Sequence, residues 1–198
     1  MPLLLALLAL AACNDGPPWA TRSVGGLLPP LELRLSGTPR GMPFTQADVR
    51  DRTTLLTFGF MSCSDVCPTT LARLAEAKRR LPAPLSEQVQ VVFVSVDPAR
   101  DDPARLADYA AHFGDGFIGV TGTPEELRAL GRRYRTTYSY GRPDPHGNYD
   151  VVHSAGVYVF DRDGEARLLF QTDDPPEAMC ADLLRLLVEA DKGQRCRA

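Results

Sequence analysis

Apolar residues run almost unbroken through two segments near the middle of the chain, residues 54–60 and Val89 to Val96, and both are rich in β-branched or aromatic side chains. Runs of that length bounded by polar turns predict central strands buried on both faces. Between them Leu71, Leu74 and Ala75 share one face, Pro68 sits where a helical first turn tolerates proline, and Pro82 stops the pattern, so a helix is predicted there. Earlier, Leu31, Leu33 and Leu35 alternate with Glu32 and Arg34, the mark of a half-buried strand, and residues 36–41 turn it back into an N-terminal hairpin. Later, Asp102 caps a helix through Leu106, Tyr109 and Ala110, a short strand covers residues 117–120, and Thr123 to Glu126 has capping-box spacing for a helix ending near Tyr134. A polar excursion over residues 136–150 precedes the strands 156–160 and 166–170, joined as a hairpin, and a closing helix over 175–190. Strands alternating with helices and finishing in an antiparallel hairpin indicate an α/β sandwich with a mixed sheet flanked by helices.

Composition fits one such domain: of 198 residues, 44% are hydrophobic and 24% charged. The formal net charge of -3 is too small and too evenly spread for a nucleic-acid surface. The basic cluster Arg128, Arg132, Arg133 and Arg135 reads as a solvated helix face, with a docking patch for an acidic partner as the alternative.

The first twelve residues are apolar but shorter than the roughly 20 that span a bilayer, and they read as an export signal. Residues 10–13, Leu-Ala-Ala-Cys, resemble the lipobox of bacterial lipoproteins, which would make Cys13 the lipid-bearing first residue of the mature chain. Residues 13–26, with prolines and glycines and little apolar content, read as a flexible tether. The folded domain is then expected over 27–190, with a polar tail over 191–198.

Setting Cys13 aside leaves two pairs, Cys63 with Cys67 and Cys180 with Cys196. An exported chain tolerates disulfides, and the second pair reads as a staple for the C-terminus. The first pair lies where a buried strand hands over to a helix. That junction can carry a disulfide, a redox-active dithiol or a soft metal ion. Helical geometry brings positions four apart onto one face, so two sulfurs with three residues between them can grip a single ion. Cys67, next to Pro68 at the start of the helix, is expected to be the readier thiolate. Asp65 could cap that helix or tune the sulfurs, and Asp97 ends a strand on the side where α/β sheets place their sites.

The order of elements, with cysteines after the first central strand, is the thioredoxin layout. The ordered motifs resemble the Sco (SenC) family of thioredoxin-fold proteins: Gly59-Phe60 leading to Cys63-x-Asp65-Val66-Cys67-Pro68, then Ser95 to Pro98, Gly119 to Gly122, and His153 ahead of a Tyr-Val-Phe strand. The resemblance implies a site in which Cys63, Cys67 and His153 hold one copper ion, Cu(I) or Cu(II), for the binuclear copper centre of cytochrome c oxidase. It implies as partners the copper-site subunit of that oxidase and a periplasmic copper donor or thiol reductant, on the outer face of the bacterial cytoplasmic membrane. A hairpin insertion is expected before the ligand histidine. His112 and His146 read as exposed. Three positions differ from the family pattern, Ser62, Ser64 and Val152, the last standing where an aspartate would help to orient the imidazole. The alternative function is a thiol-disulfide reductase that works through Cys63 and Cys67 without His153, and a thiol peroxidase is a third reading.

Overall fold

The computed structural model describes residues 17–195, with side chains placed to residue 190. The signal over 1–12, the lipid-bearing Cys13 and Cys196, and with it the Cys180–Cys196 staple, lie outside the described residues.

The two apolar runs form β4 (Thr53–Gly59) and β5 (Val89–Ser95), in which every residue is buried. They pair in parallel from Thr53 against Val89 to Gly59 against Ser95. A crossover joins them through α1 (Val66–Arg79) and the single turn α2 (Ala83–Ser86). Leu71, Leu74 and Ala77 of α1 are buried, which explains why the 3.6-residue periodicity of that stretch was readable. After β5 come α3 (Pro103–Ala111), β6 (Phe117–Val120) and α4 (Pro124–Arg133). Asp102 caps α3 by accepting from the amides of Ala104 and Arg105, and Thr123 and Glu126 close a capping box on α4. The chain ends in β9 (Val157–Phe160), β10 (Ala166–Phe170) and α5 (Pro176–Arg195), which packs on α1. The backbone of α5 continues five residues past the expected end of the domain.

With Arg22–Ser23 as β1, the sheet order is β1-β10-β9-β4-β5-β6, parallel from β4 to β6 and antiparallel beyond β4. Helix α3 lies so close to β6 that a Cβ on Gly119 would stand 2.1 Å from the carbonyl oxygen of Leu106. Only glycine permits that approach.

Three expectations shift. The alternating stretch does form a hairpin, but only β2 (Arg34–Leu35) and β3 (Phe44–Thr45) are paired, with Leu33 and Leu35 pointing into the core. The tether expected up to residue 26 is partly folded. Residues Arg22–Ser23 form β1 on the edge of β10, Val24 is buried, and the buried carboxylate of Asp182 accepts from the amides of Ala20 and Thr21 and from the Thr21 hydroxyl at 2.7 to 2.9 Å. A short polar segment gives no periodic signal, because its partners lie some 160 residues away. Finally, the polar excursion is a two-stranded ribbon, β7 (Tyr138–Tyr140) with β8 (Val151–His153), and His153 stands on its second strand rather than after it.

Candidate metal centre

Cys63 and Cys67 flank the start of α1. The chain leaves β4 at Gly59, makes a turn closed by the Cys63 amide on the Phe60 carbonyl at 3.2 Å, and enters the helix at Val66. Asp65 takes the cap position but its carboxylate makes no capping bond. The role falls to a sulfur, since Cys63 Sγ accepts from the Cys67 amide at 3.4 Å.

That contact reverses the expected order of the two thiols. Burial pushes the half-buried Cys63 thiol up, but the amide and side chain of Cys67 and the amides of Asp65 and Val66 pull it down, leaving it below the ordinary thiol value. Cys67, 3% exposed, is pushed far up by burial first and by the adjacent Cys63 sulfur second. Both residues are near the positive end of the helix, yet only the sulfur lying over the free amides benefits from it. Cys63 is therefore the readier thiolate.

His153 comes in from the ribbon. Its Nε2 lies 3.3 Å from Cys67 Sγ, and its Nδ1 lies 3.0 Å from the carbonyl oxygen of Ser154. A carbonyl can only accept, so Nδ1 carries the proton and Nε2 turns a lone pair toward the sulfurs. This backbone contact supplies the orientation that an aspartate at 152 was expected to provide, and Val152 itself faces solvent at 68% exposure. The ring of Phe60 meets the imidazole edge-on, with centroids 5.8 Å apart. Ser154 is in turn held by its amide on the Thr137 carbonyl at 2.9 Å.

The three donor atoms lie within 4.8 Å of one another. Two donors sharing one ion at about 2.3 Å each stand no more than about 4.6 Å apart, so small adjustments suffice to close the set. Two thiolates and one imidazole form a soft donor set suited to Cu(I), with a nitrogen that also accommodates Cu(II). His146 is exposed in its turn and His112 at the end of α3, and neither joins the group.

Two contributors have roles that the sequence did not show. Gly59 leaves room for the buried thiol: a Cβ there would stand 2.7 Å from Cys67 Sγ and 2.6 Å from the ring of Phe93. Asp101 is fully buried beneath the cysteine turn, accepting from the Met61 amide at 2.9 Å and the Ser95 hydroxyl at 2.5 Å. An acidic residue after the Asp97-Pro98 turn was the only hint of it. Asp97 does not face the sulfurs. It pairs with Arg100 at 2.5 Å and accepts from the Tyr149 hydroxyl at 2.7 Å, and so fastens the ribbon to the end of β5.

A profile of the SCO1/SenC family matches residues 37–188. The chain belongs to the SCO1/SenC family. The mitochondrial SCO2 homolog of Mus musculus is 40% identical over 126 residues, which is 63% of this chain and 49% of the mouse protein, so the chain aligns with about half of that relative. The solution structure of apo Sco1 from Thermus thermophilus superposes with a TM-score of 0.76 at 36% identity, covering 86% of this chain and 99% of that one. Bradyrhizobium japonicum ScoI, solved with copper bound, superposes at 0.69 and 32% identity, covering 79% and 98%. The family assignment, the α/β architecture and the thioredoxin-like sheet expected from sequence are thereby borne out.

Proposed function

We propose that the protein is a copper metallochaperone that holds one copper ion on Cys63, Cys67 and His153 and delivers it to the binuclear copper site of cytochrome c oxidase. The observation that carries this reading is the convergence of two sulfurs and a correctly turned imidazole from separate elements onto one point. The copper-bound relative supports the choice of metal. In this reading residues 1–12 serve as an export signal and Cys13 carries the lipid, so that the protein is anchored on the periplasmic side of the cytoplasmic membrane. There it takes copper from a periplasmic donor and depends on a thiol reductant, because a Cys63–Cys67 disulfide has no thiolates to offer.

Binding displaces protons from the sulfurs, above all from Cys67. Affinity therefore rises with pH, by about tenfold per pH unit for each proton displaced. The test is anaerobic titration of the reduced chain with Cu(I) and Cu(II), beside Cys63→Ser, Cys67→Ser and His153→Ala. One equivalent is expected for the wild type, no tight binding for either serine variant, and loss of the thiolate-to-Cu(II) absorption for His153→Ala. Unchanged Cu(II) binding and spectrum without the imidazole would reject the three-donor site.

A second reading, a thiol-disulfide reductase, is favoured by the asymmetry of the pair, an accessible activated Cys63 backed by a buried Cys67. It predicts full activity in His153→Ala on a disulfide-bonded copper-site subunit, which the chaperone reading does not.

A further inference from the structure

The ribbon that carries His153 has a second face. Between it, α4 and the turn after β5 lies a groove of about 800 Å³ floored by Tyr138, Tyr140 and Tyr149. The three rings stand edge to face, with centroids 5.9 Å apart at each step. Two of the hydroxyls are turned inward, Tyr140 donating to the Val96 carbonyl and Tyr149 to Asp97, which leaves ring surface toward the opening. Tyr140 is 48% exposed.

The basic cluster of α4 divides here. Arg133 turns away to Glu32 and the Pro30 carbonyl, while Arg128 and Arg132, one turn apart, line the groove. Among the described residues Arg128 pairs with the exposed Glu125 alone. Arg132 has no ionic partner among the described residues. The one acidic lining residue, Asp97, is buried and neutralised by Arg100. In a chain of net charge -3 this makes the α4 wall of the groove cationic beside an aromatic floor, while the exposed Glu125, Asp144 and Asp150 each follow a lining residue in the chain. Tyrosine and arginine together are the side chains that dominate protein recognition energetically.

We infer that this groove docks an acidic segment, bearing an apolar or aromatic side chain for the tyrosine floor, of the protein that receives the copper ion. The identity of that partner rests on the function proposed above. Docking there would act directly on the metal centre, because Tyr138 is the register partner of His153 across the ribbon. A second line of contact runs from Tyr149 through Arg100, stacked 3.9 Å from its ring, to Phe60, whose ring meets His153.

The experiment measures binding of the full copper-loaded chain to the copper-free soluble domain of the oxidase copper-site subunit from the same organism. Arg128→Glu/Arg132→Glu and Tyr140→Ser are compared with Arg79→Glu, which lies about 18 Å along α1 from Cys67. Every variant is first titrated with copper, so failure of the metal site is seen separately from failure of docking. Wild-type affinity is expected to fall steeply between about 50 and 300 mM salt, as charge attraction is screened. The double reversal should weaken it at least about tenfold and Tyr140→Ser by a smaller factor, while Arg79→Glu leaves it unchanged. Wild-type affinity in the double reversal, or no binding of the subunit by the copper-loaded wild type, would overturn the inference. So would the same reversals abolishing attachment to anionic phospholipid vesicles while sparing the subunit.

Discussion

At the scale of single residues, the site depends on how differently two nearby sulfurs are treated. The raised Cys67 thiol stays protonated in the fold at pH values where the unfolded chain, with a thiol near 8.5, ionises. Its contribution is therefore fully present below about pH 8.5 and is lost as pH climbs toward the folded value, at up to about 1.4 kcal/mol per pH unit. Cys63 acts in the opposite sense: its lowered value favours the fold above the unfolded pKa, and that gain disappears as pH falls through the folded value. Urea unfolding of the reduced, copper-free protein between about pH 7 and 10 should show wild type losing stability relative to Cys67→Ser as pH rises. A difference that stays constant with pH would contradict the burial of that thiol. Gly59→Ala tests the packing that permits it, since the added methyl must displace either the Phe93 ring or the Cys67 sulfur. We expect about 1–3 kcal/mol of destabilisation together with weaker copper retention, read by chelator competition.

At the scale of elements, the ribbon β7/β8 holds the third donor outside the main sheet, tied down by the Ser154 carbonyl, Thr137 and the Asp97–Tyr149–Arg100 cluster. Because the imidazole is oriented from the backbone and residue 152 faces solvent, Val152→Asp should change copper affinity by less than about threefold. Residues that orient a ligating histidine usually matter by 10- to 100-fold, so an effect in that range would show that the carbonyl contact is not sufficient. The ribbon is also where sequence reasoning was weakest. β4, β5 and the cysteine junction were legible because burial on both faces and helical periodicity write themselves into consecutive residues. The ribbon is polar on most of its length and has no period, and it is fixed by hydrogen bonds from Tyr140 and Tyr149 to the end of β5, 44 and 52 residues back in the sequence. The choice of Cys67 over Cys63 failed for a related reason: the start of the helix was legible, but the direction of each sulfur relative to its free amides was not.

At the scale of the whole molecule, the segment before Gly25 is part of the domain. Asp182 gathers three hydrogen bonds from Ala20 and Thr21, and Trp19 is stacked by Arg185 at 3.9 Å. Asp182→Ala should cost about 2–4 kcal/mol, measured by urea unfolding, and loss below about 0.5 kcal/mol would mean that this strap carries no stability. What the strap covers matters as much as what it contributes. β10 would otherwise form the open margin of the sheet, with the backbone groups of Leu169 and the Arg167 carbonyl, which accepts from the Val24 amide at 2.9 Å, left unpaired and ready to take up a strand from a neighbouring molecule. The residues that lead the chain into its fold thus also close it to its own copies, and a protein trimmed at Gly25 would expose a surface prone to self-assembly.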